Sequence, residues 1–247
     1  MLVAPYLFIC GIYRYHFTSR TTGKSLRIDA APKEEHTGIN GQWKTALFRP
    51  EGISAVLIYM AFGLALSIIL QPVFGIDVVP RCIKTLTPRW HPAITILYFV
   101  VFDCLMWCIH YTQHHWRWLY VNTHAVHHTI TSPTIIVALT GYLPDTCLLI
   151  IVPLHLTLYV VDAMTSRANF ISVFVFAILS LVHLHCIHSE FENKWDPLFR
   201  KWGIVNSWDH HVHHLRPRCN LAHFFVVIDK AFGTYCDPKS IDKIRTD

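Results

Sequence analysis

Residues 53–76, ISAVLIYMAFGLALSIILQPVFGI, carry no charged side chain. No other feature limits the fold as much, because about 20 apolar residues are what an α-helix needs to cross the hydrocarbon of a bilayer. Within that hydrocarbon the backbone must satisfy its own hydrogen bonds, which makes a helix the form such a run takes. Pro72 and Gly75 mark its end. Residues 93–111 form a second run with Asp103 as their one charge, and residues 169–188 form another. Residues 134–161 are apolar but interrupted by GYLPD at 141–145, and read as one broken span or as a re-entrant hairpin. Composition agrees, with 53% hydrophobic and 15% charged residues and a mean hydropathy of +0.35. The expected fold is all-α, a multi-pass membrane helical bundle over residues 53–247. Residues 1–52 are expected to form a membrane-surface segment and a loop. Their first stretch, MLVAPYLFICGIYRYHF, is short for a span and lacks the basic start and cleavage site of a secretory signal.

The net charge of +5 is modest and evenly spread, which suits anionic lipid headgroups and argues against nucleic acid. Residues 1–52 hold seven Lys or Arg, against three in 75–92 and one in 162–168, so the N-terminal side is expected in the cytosol. The eight cysteines are scattered without a C-x-x-C pair and read as reduced structural thiols.

Histidine is the anomaly, with eighteen in the chain. His110 and His114 are one helical turn apart. His124, His127 and His128 share the i, i+3, i+4 spacing of one helix face, and His210, His213 and His214 repeat it. His185 and His188 close the run at 169–188, with His183 left open. His115 and His211 stand about 100° off their neighbours' faces. His16, His36, His91, His155 and His223 stand alone and read as isolated polar groups. The ten histidines 110, 114, 124, 127, 128, 185, 188, 210, 213 and 214 exceed what one ion can use, so a cytosolic histidine cap holding a dimetal site is expected. Imidazoles without thiolate suit redox iron better than structural zinc, with copper left open. For this cap to assemble, the chain between the two histidine regions must cross the membrane an even number of times. Asp103, two helical turns before His110, and Asp209, beside His210, are candidates to hold an imidazole through its other nitrogen, with Glu190 and Glu192 weaker ones.

The stretch DCLMWCIHYTQHHWRWLYVNTHAVHH resembles the fatty acid hydroxylase superfamily, which shows an Asp seven residues before H-x-x-x-H, then Leu-Tyr, then H-x-x-H-H. Here these are Asp103, His110, His114, Leu119, Tyr120, His124, His127 and His128. HSEFENKW from His188 is similar to the superfamily's His-Ser-Gly box with Glu190 in place of Gly, WDHHVHH to its last box, and DKAFGTY to its terminal Asp-x-x-Phe-Gly-Thr. The likeness runs over residues 93–237. Many relatives carry a further histidine in the hairpin, where this chain has LTGYLPDTCLL with Asp145.

This resemblance implies an O2-dependent oxygenase with two irons held by imidazoles, acting on an apolar lipid, sterol or terpenoid. With neither a Gly-rich dinucleotide motif nor a heme domain in the sequence, electrons are expected from a separate cytochrome b5 and its NAD(P)H reductase, docked on basic residues such as Arg200, Lys201, Arg216 and Arg218. The endoplasmic reticulum is the implied membrane. A desaturase on the same irons is the near alternative. A membrane metal carrier is the alternative of another class, though it calls for ligands near the midplane of its spans.

Overall fold

Four helices carry the apolar runs: α1 Pro50–Phe74, α2 Pro92–His115, α3 Leu143–Thr165 and α4 Phe170–Ile187. The computed structural model describes residues 50–75, 90–129, 133, 143–166, 169–189 and 191–239, with side chains of α1 described from Ala61 onward. The expected N-terminal segment, Glu190 and residues 134–142 therefore lie outside the described residues, apart from the helical backbone of residues 50–52. By length and composition α2, α3 and α4 are able to cross a membrane; the described part of α1, Ala61–Phe74, is shorter.

From Leu143 onward the run is one helix, which opens on Leu143, Pro144 and Asp145 of the interruption and carries a π-helical turn at Cys147–Ile151. Pro153 explains the turn. It lacks an N–H and its ring would meet the carbonyl four residues back, so the helix widens just before it.

Local contacts set the helix directions. The His91 backbone N–H donates to Ser172 Oγ at 3.3 Å, so α2 and α4 begin at the same end and run parallel. Only residues 166–169 join α3 to α4, which turns α3 back between them. Helix α1 runs along α3, where Tyr159 donates to the Ser67 carbonyl at 2.9 Å and its ring lies tilted, 5.5 Å from that of Phe74. Gly63 makes that approach feasible, since a Cβ there would stand 2.9 Å from the His155 ring. Helices α2 and α4 thus end side by side, the arrangement that an even number of crossings between the histidine regions would give.

Between them lies a core of Tyr98, Phe102 and Met106 from α2, Leu149 and Val161 from α3, and Phe176 from α4. Phe224 joins it from the C-terminal region, edge-on to Phe99 at 4.9 Å and to Phe102 at 6.0 Å. Beyond α4, short helices α5 Asp196–Trp202, α6 Ser207–Leu215 and α7 Val226–Phe232 fold over the ends of α2 and α4. Among the described residues there is no strand, only a single antiparallel bridge between Ile204 and Phe225.

One expectation about cysteine is corrected. Cys219 and Cys236, 5.6 Å apart at Cα, form a disulfide, while Cys104, Cys108, Cys147 and Cys186 are free. The pair is brought together because Asn220 bonds both the N–H and the carbonyl of Cys236.

Candidate metal centre

Nine of the ten expected histidines gather into two groups able to hold metal: His110, His114, His124, His128 and His213, and His127, His188, His210 and His214. The groups adjoin, with His128 and His214 rings 5.1 Å apart and His124 and His127 rings 5.2 Å apart. Each H-x-x-H-H box is split between them. Its outer pair, four residues apart, stays together, and its third histidine crosses over. In α6 this follows from the helix itself: three residues turn about −60° and four about +40°, so His213 and His214 flank His210 on opposite sides. The first box reaches the same division by another route. It is a π-helical turn, Tyr120–His124, followed by a 3-10 turn, His127–Thr129, and not the α-helical face expected from its spacing.

His185 does not join either group. Its Nδ1 bonds the Leu181 carbonyl at 2.6 Å and the ring stays on α4. His183 bonds the His223 carbonyl through Nε2 at 2.7 Å. His115 is exposed and His211 bonds the Ser207 carbonyl, so both stand apart as their helical angle implied.

The hydrogen bonds decide what the ring nitrogens can do. His110 Nδ1 faces the Leu221 carbonyl at 2.8 Å and His124 Nδ1 faces Asp145 Oδ1 at 2.8 Å, so each Nδ1 carries the proton. Their Nε2 atoms are then bare lone pairs, yet they stand 3.0 Å apart. His114 and His128 bring Nε2 to the same place, at 3.1 Å from His110 and 3.0 Å from His124. In the second group His188 Nδ1 faces the Leu184 carbonyl, and His210 Nε2 lies 3.0 Å from His188 Nε2 and 3.2 Å from His214 Nε2. Lone pairs converging at such distances repel one another unless a cation lies between them. Burial also keeps the rings outside the helices α2–α4 neutral. It lowers the pKa of His127 to about 4 and of His128 to about 2, and holds His188, His210, His213 and His214 well below the ordinary value.

The acids have other roles than expected. Asp103 holds no imidazole; its carboxylate accepts the backbone N–H groups of His223, Phe224 and Phe225 at 2.8, 3.0 and 2.7 Å. Asp209 is the third helical residue of α6, in a capping box with Asn206, and burial raises its pKa to about 7. The carboxylate that does hold an imidazole is Asp145, which also accepts from Gln113 Nε2 at 3.0 Å. Sequence spacing could not reveal it, because 21 residues separate it from His124. The sole signal was an acid standing where many relatives have a histidine.

Beside the groups lies a small cavity of about 60 Å³ lined by Met106, His110, His124, Asp145, His188 and His223 among others. An apolar cavity of about 220 Å³ continues from it between α2, α3 and α4, lined by Phe102, Leu154, Phe176, Leu181 and Ile187. Met106, Ile150, Leu184 and His223 form walls of both.

Among known proteins, residues 95–234 match the family model described as fatty acid hydroxylase. The chain is 31% identical to an "Alternative squalene epoxidase" of Phaeodactylum tricornutum over 78% of this chain and 52% of that protein. It is 28% identical to a "Cholesterol 25-hydroxylase-like protein 1, member 2" of Danio rerio, over 56% of this chain and 49% of that one. With "Sphinganine C4-monooxygenase 1" of Arabidopsis thaliana it shares 25% identity over 84% of this chain and 78% of that protein. The chain thus spans about half the length of the first two relatives. No solved structure matches significantly. With more than half of its residues under one family model and its histidine boxes folded into two facing groups, the chain belongs to the fatty acid hydroxylase family.

Proposed function

We propose that the two histidine groups hold a pair of iron ions and that the protein is a membrane-bound oxygenase, hydroxylating or oxidising an unactivated C–H bond of an apolar lipid, sterol or terpenoid. The observation that carries this reading is the convergence of Nε2 atoms 3.0–3.2 Å apart, those of His110, His124 and His188 being bare lone pairs, beside an apolar cavity. Two nitrogens each about 2.1 Å from one ion lie about 3.0 Å apart at 90° and about 3.4 Å apart at the tetrahedral angle. The observed spacing suits a five- or six-coordinate ion better than tetrahedral zinc, and an all-imidazole set suits redox iron. His110, His114, His124, His128 and His213 would hold one ion, and His127, His188, His210 and His214 the other. When bound, such a pair supplies the activation of O2 with two external electrons that no side chain provides.

The chain's own residues orient and exclude. Leu221, Leu184, Cys219 and Asp145 fix which nitrogen each ligand presents. Phe102, Met106, Phe176 and Leu184 take an apolar substrate from between the helices and keep water from the reacting carbon. Cytochrome b5 with its NAD(P)H reductase remains the expected electron source. Exposed Arg117, Arg216 and Arg218 around a cavity that reaches His114 favour an acidic partner there. The endoplasmic reticulum, with the histidines facing the cytosol, is the location we assign.

The names of the three relatives, an epoxidase, a hydroxylase-like protein and a monooxygenase, favour oxygen insertion over desaturation. A metal carrier is disfavoured because the histidines sit beyond or at the ends of α2 and α4, not at mid-span. Lipid profiling of membranes with and without the protein under 18O2 tests the reading. An 18O-labelled lipid is expected; a new double bond without label would make it a desaturase, and an unchanged lipid profile would refute both.

A further inference from the structure

Each histidine group is assembled from the same parts. The first takes two imidazoles one turn apart at the end of a span, His110 and His114. It adds the outer pair of the following box, His124 and His128, and the crossing histidine of the other box, His213. The second takes His188 at the end of α4, the outer pair His210 and His214, and the crossing His127. Its count is four instead of five because the residue one turn before His188 is Leu184, which lines the small cavity beside the group.

On the wall of the same cavity stands His223, which is 5% exposed. Its ring lies 5.4 Å from that of His210 in the second group and 5.4 Å from that of His110 in the first. Its Nδ1 is buried and has no hydrogen-bond partner, an arrangement that native interiors rarely leave without a purpose. The backbone around it is held from two sides. Asp103 accepts the N–H groups of residues 223–225, Asp229 accepts those of Leu221 and Ala222, and His183 donates to the His223 carbonyl. Five consecutive amides clamped by two buried carboxylates is a large investment for one short loop, which is itself buried from Leu221 to Phe224. Its effect is to set the His223 side chain at the junction of the metal groups and the apolar cavity.

We infer that His223 is the fifth ligand of the second group, supplied from this strap where α4 offers Leu184, and that metal binding draws its ring toward His188 and His210. The inference rests on the two-metal reading above. Because the strap is clamped through its backbone, replacing the His223 side chain leaves those clamps in place.

The test uses the full chain purified in detergent and titrated anaerobically with Co(II), reading ions bound per chain, the affinity of each, and the Co(II) d–d absorption. The wild type should take two ions. In His223→Ala and in His223→Gln, which keeps polarity and bulk, the first ion should bind as before. The second should weaken at least about tenfold with altered d–d bands, the scale on which ligand-sphere changes act. Adding Leu184→His to His223→Ala should restore the second affinity, a rescue that a merely structural role for His223 would not allow. Two ions bound with wild-type affinity and spectrum in both single variants would overturn the inference. A wild type that binds fewer than two ions overturns the two-metal reading itself, and the two failures are thereby told apart.

Discussion

A histidine that offers one ring nitrogen to a metal works best when its other nitrogen is held, since the bond fixes both tautomer and orientation. Backbone carbonyls do this for His110, His188 and His213, whereas His124 relies on the side-chain carboxyl of Asp145. Removing it should therefore be felt at the metal. Asp145→Ala is expected to lower the affinity of the first group by about 10- to 100-fold, with helicity unchanged. Competition against a graded series of chelators, with metal retained per chain as the readout, checks this; retention equal to wild type would show that Asp145 serves only Gln113. At this scale the sequence was uneven. Spacing along a helix picked out the nine histidines that gather, because box histidines are neighbours in the chain. It misassigned Asp103 and Asp209, whose partners are backbone amides, and missed Asp145, whose partner comes from another element. His185 had ligand spacing, but its ring bonds its own helix.

Asp103 belongs to the scale of elements, as the peg that fastens the strap before α7 to the middle of α2. Its distance of two turns from His110 was legible, but its role was not, since three amides 120 to 122 residues away accept no sequence rule. Replacing it with Leu keeps the branched heavy-atom skeleton and leaves three donors inside the fold unmet, at about 1–3 kcal/mol each. Asp103→Leu should therefore destabilise the protein by about 3 kcal/mol or more. Thermal unfolding in detergent, followed by circular dichroism, should show a midpoint well below the wild type; an equal midpoint would mean that the strap is held elsewhere. A milder case is Gly63, whose added Cβ would press on His155. Gly63→Val should loosen α1 from α3 and open that interface to proteolysis, yet leave metal binding unchanged, because no grouped histidine lies on α1 or α3 and Asp145 stands ten residues before His155, nearly three turns away. Protection equal to wild type in limited proteolysis would contradict it. The long helices themselves were readable from their apolar runs. The broken run was ambiguous because Gly and Pro residues can open a helix, as Pro144 does here, or turn a hairpin.

For the whole molecule, the division of the boxes matters more than their number. Helix α2 and the turns after it supply His110, His114, His124 and His128 to the first group, while α4 and α6 supply His188, His210 and His214 to the second. Only His127 and His213 cross. Metal bound in both groups would thus tie the two halves of the histidine region together through two residues. Ions that bind only the folded chain stabilise it, by about 2.7 kcal/mol for one ion at a hundred times its dissociation constant. In the absence of metal the converging lone pairs work against the same assembly. Adding Fe(II) anaerobically should raise the melting midpoint of the wild type, and chelation should reverse the rise. The double variant His127→Ala, His213→Ala keeps four and three ligands in its groups, each set from one half. It should still bind iron, with lower affinity, while most of the metal-induced rise disappears even at saturation. His114→Ala, which removes a ligand from within one half, should retain the larger part of it. An undiminished rise in the double variant at saturating Fe(II) would mean that the halves are joined by packing alone, and that the crossing of the two histidines has no mechanical consequence.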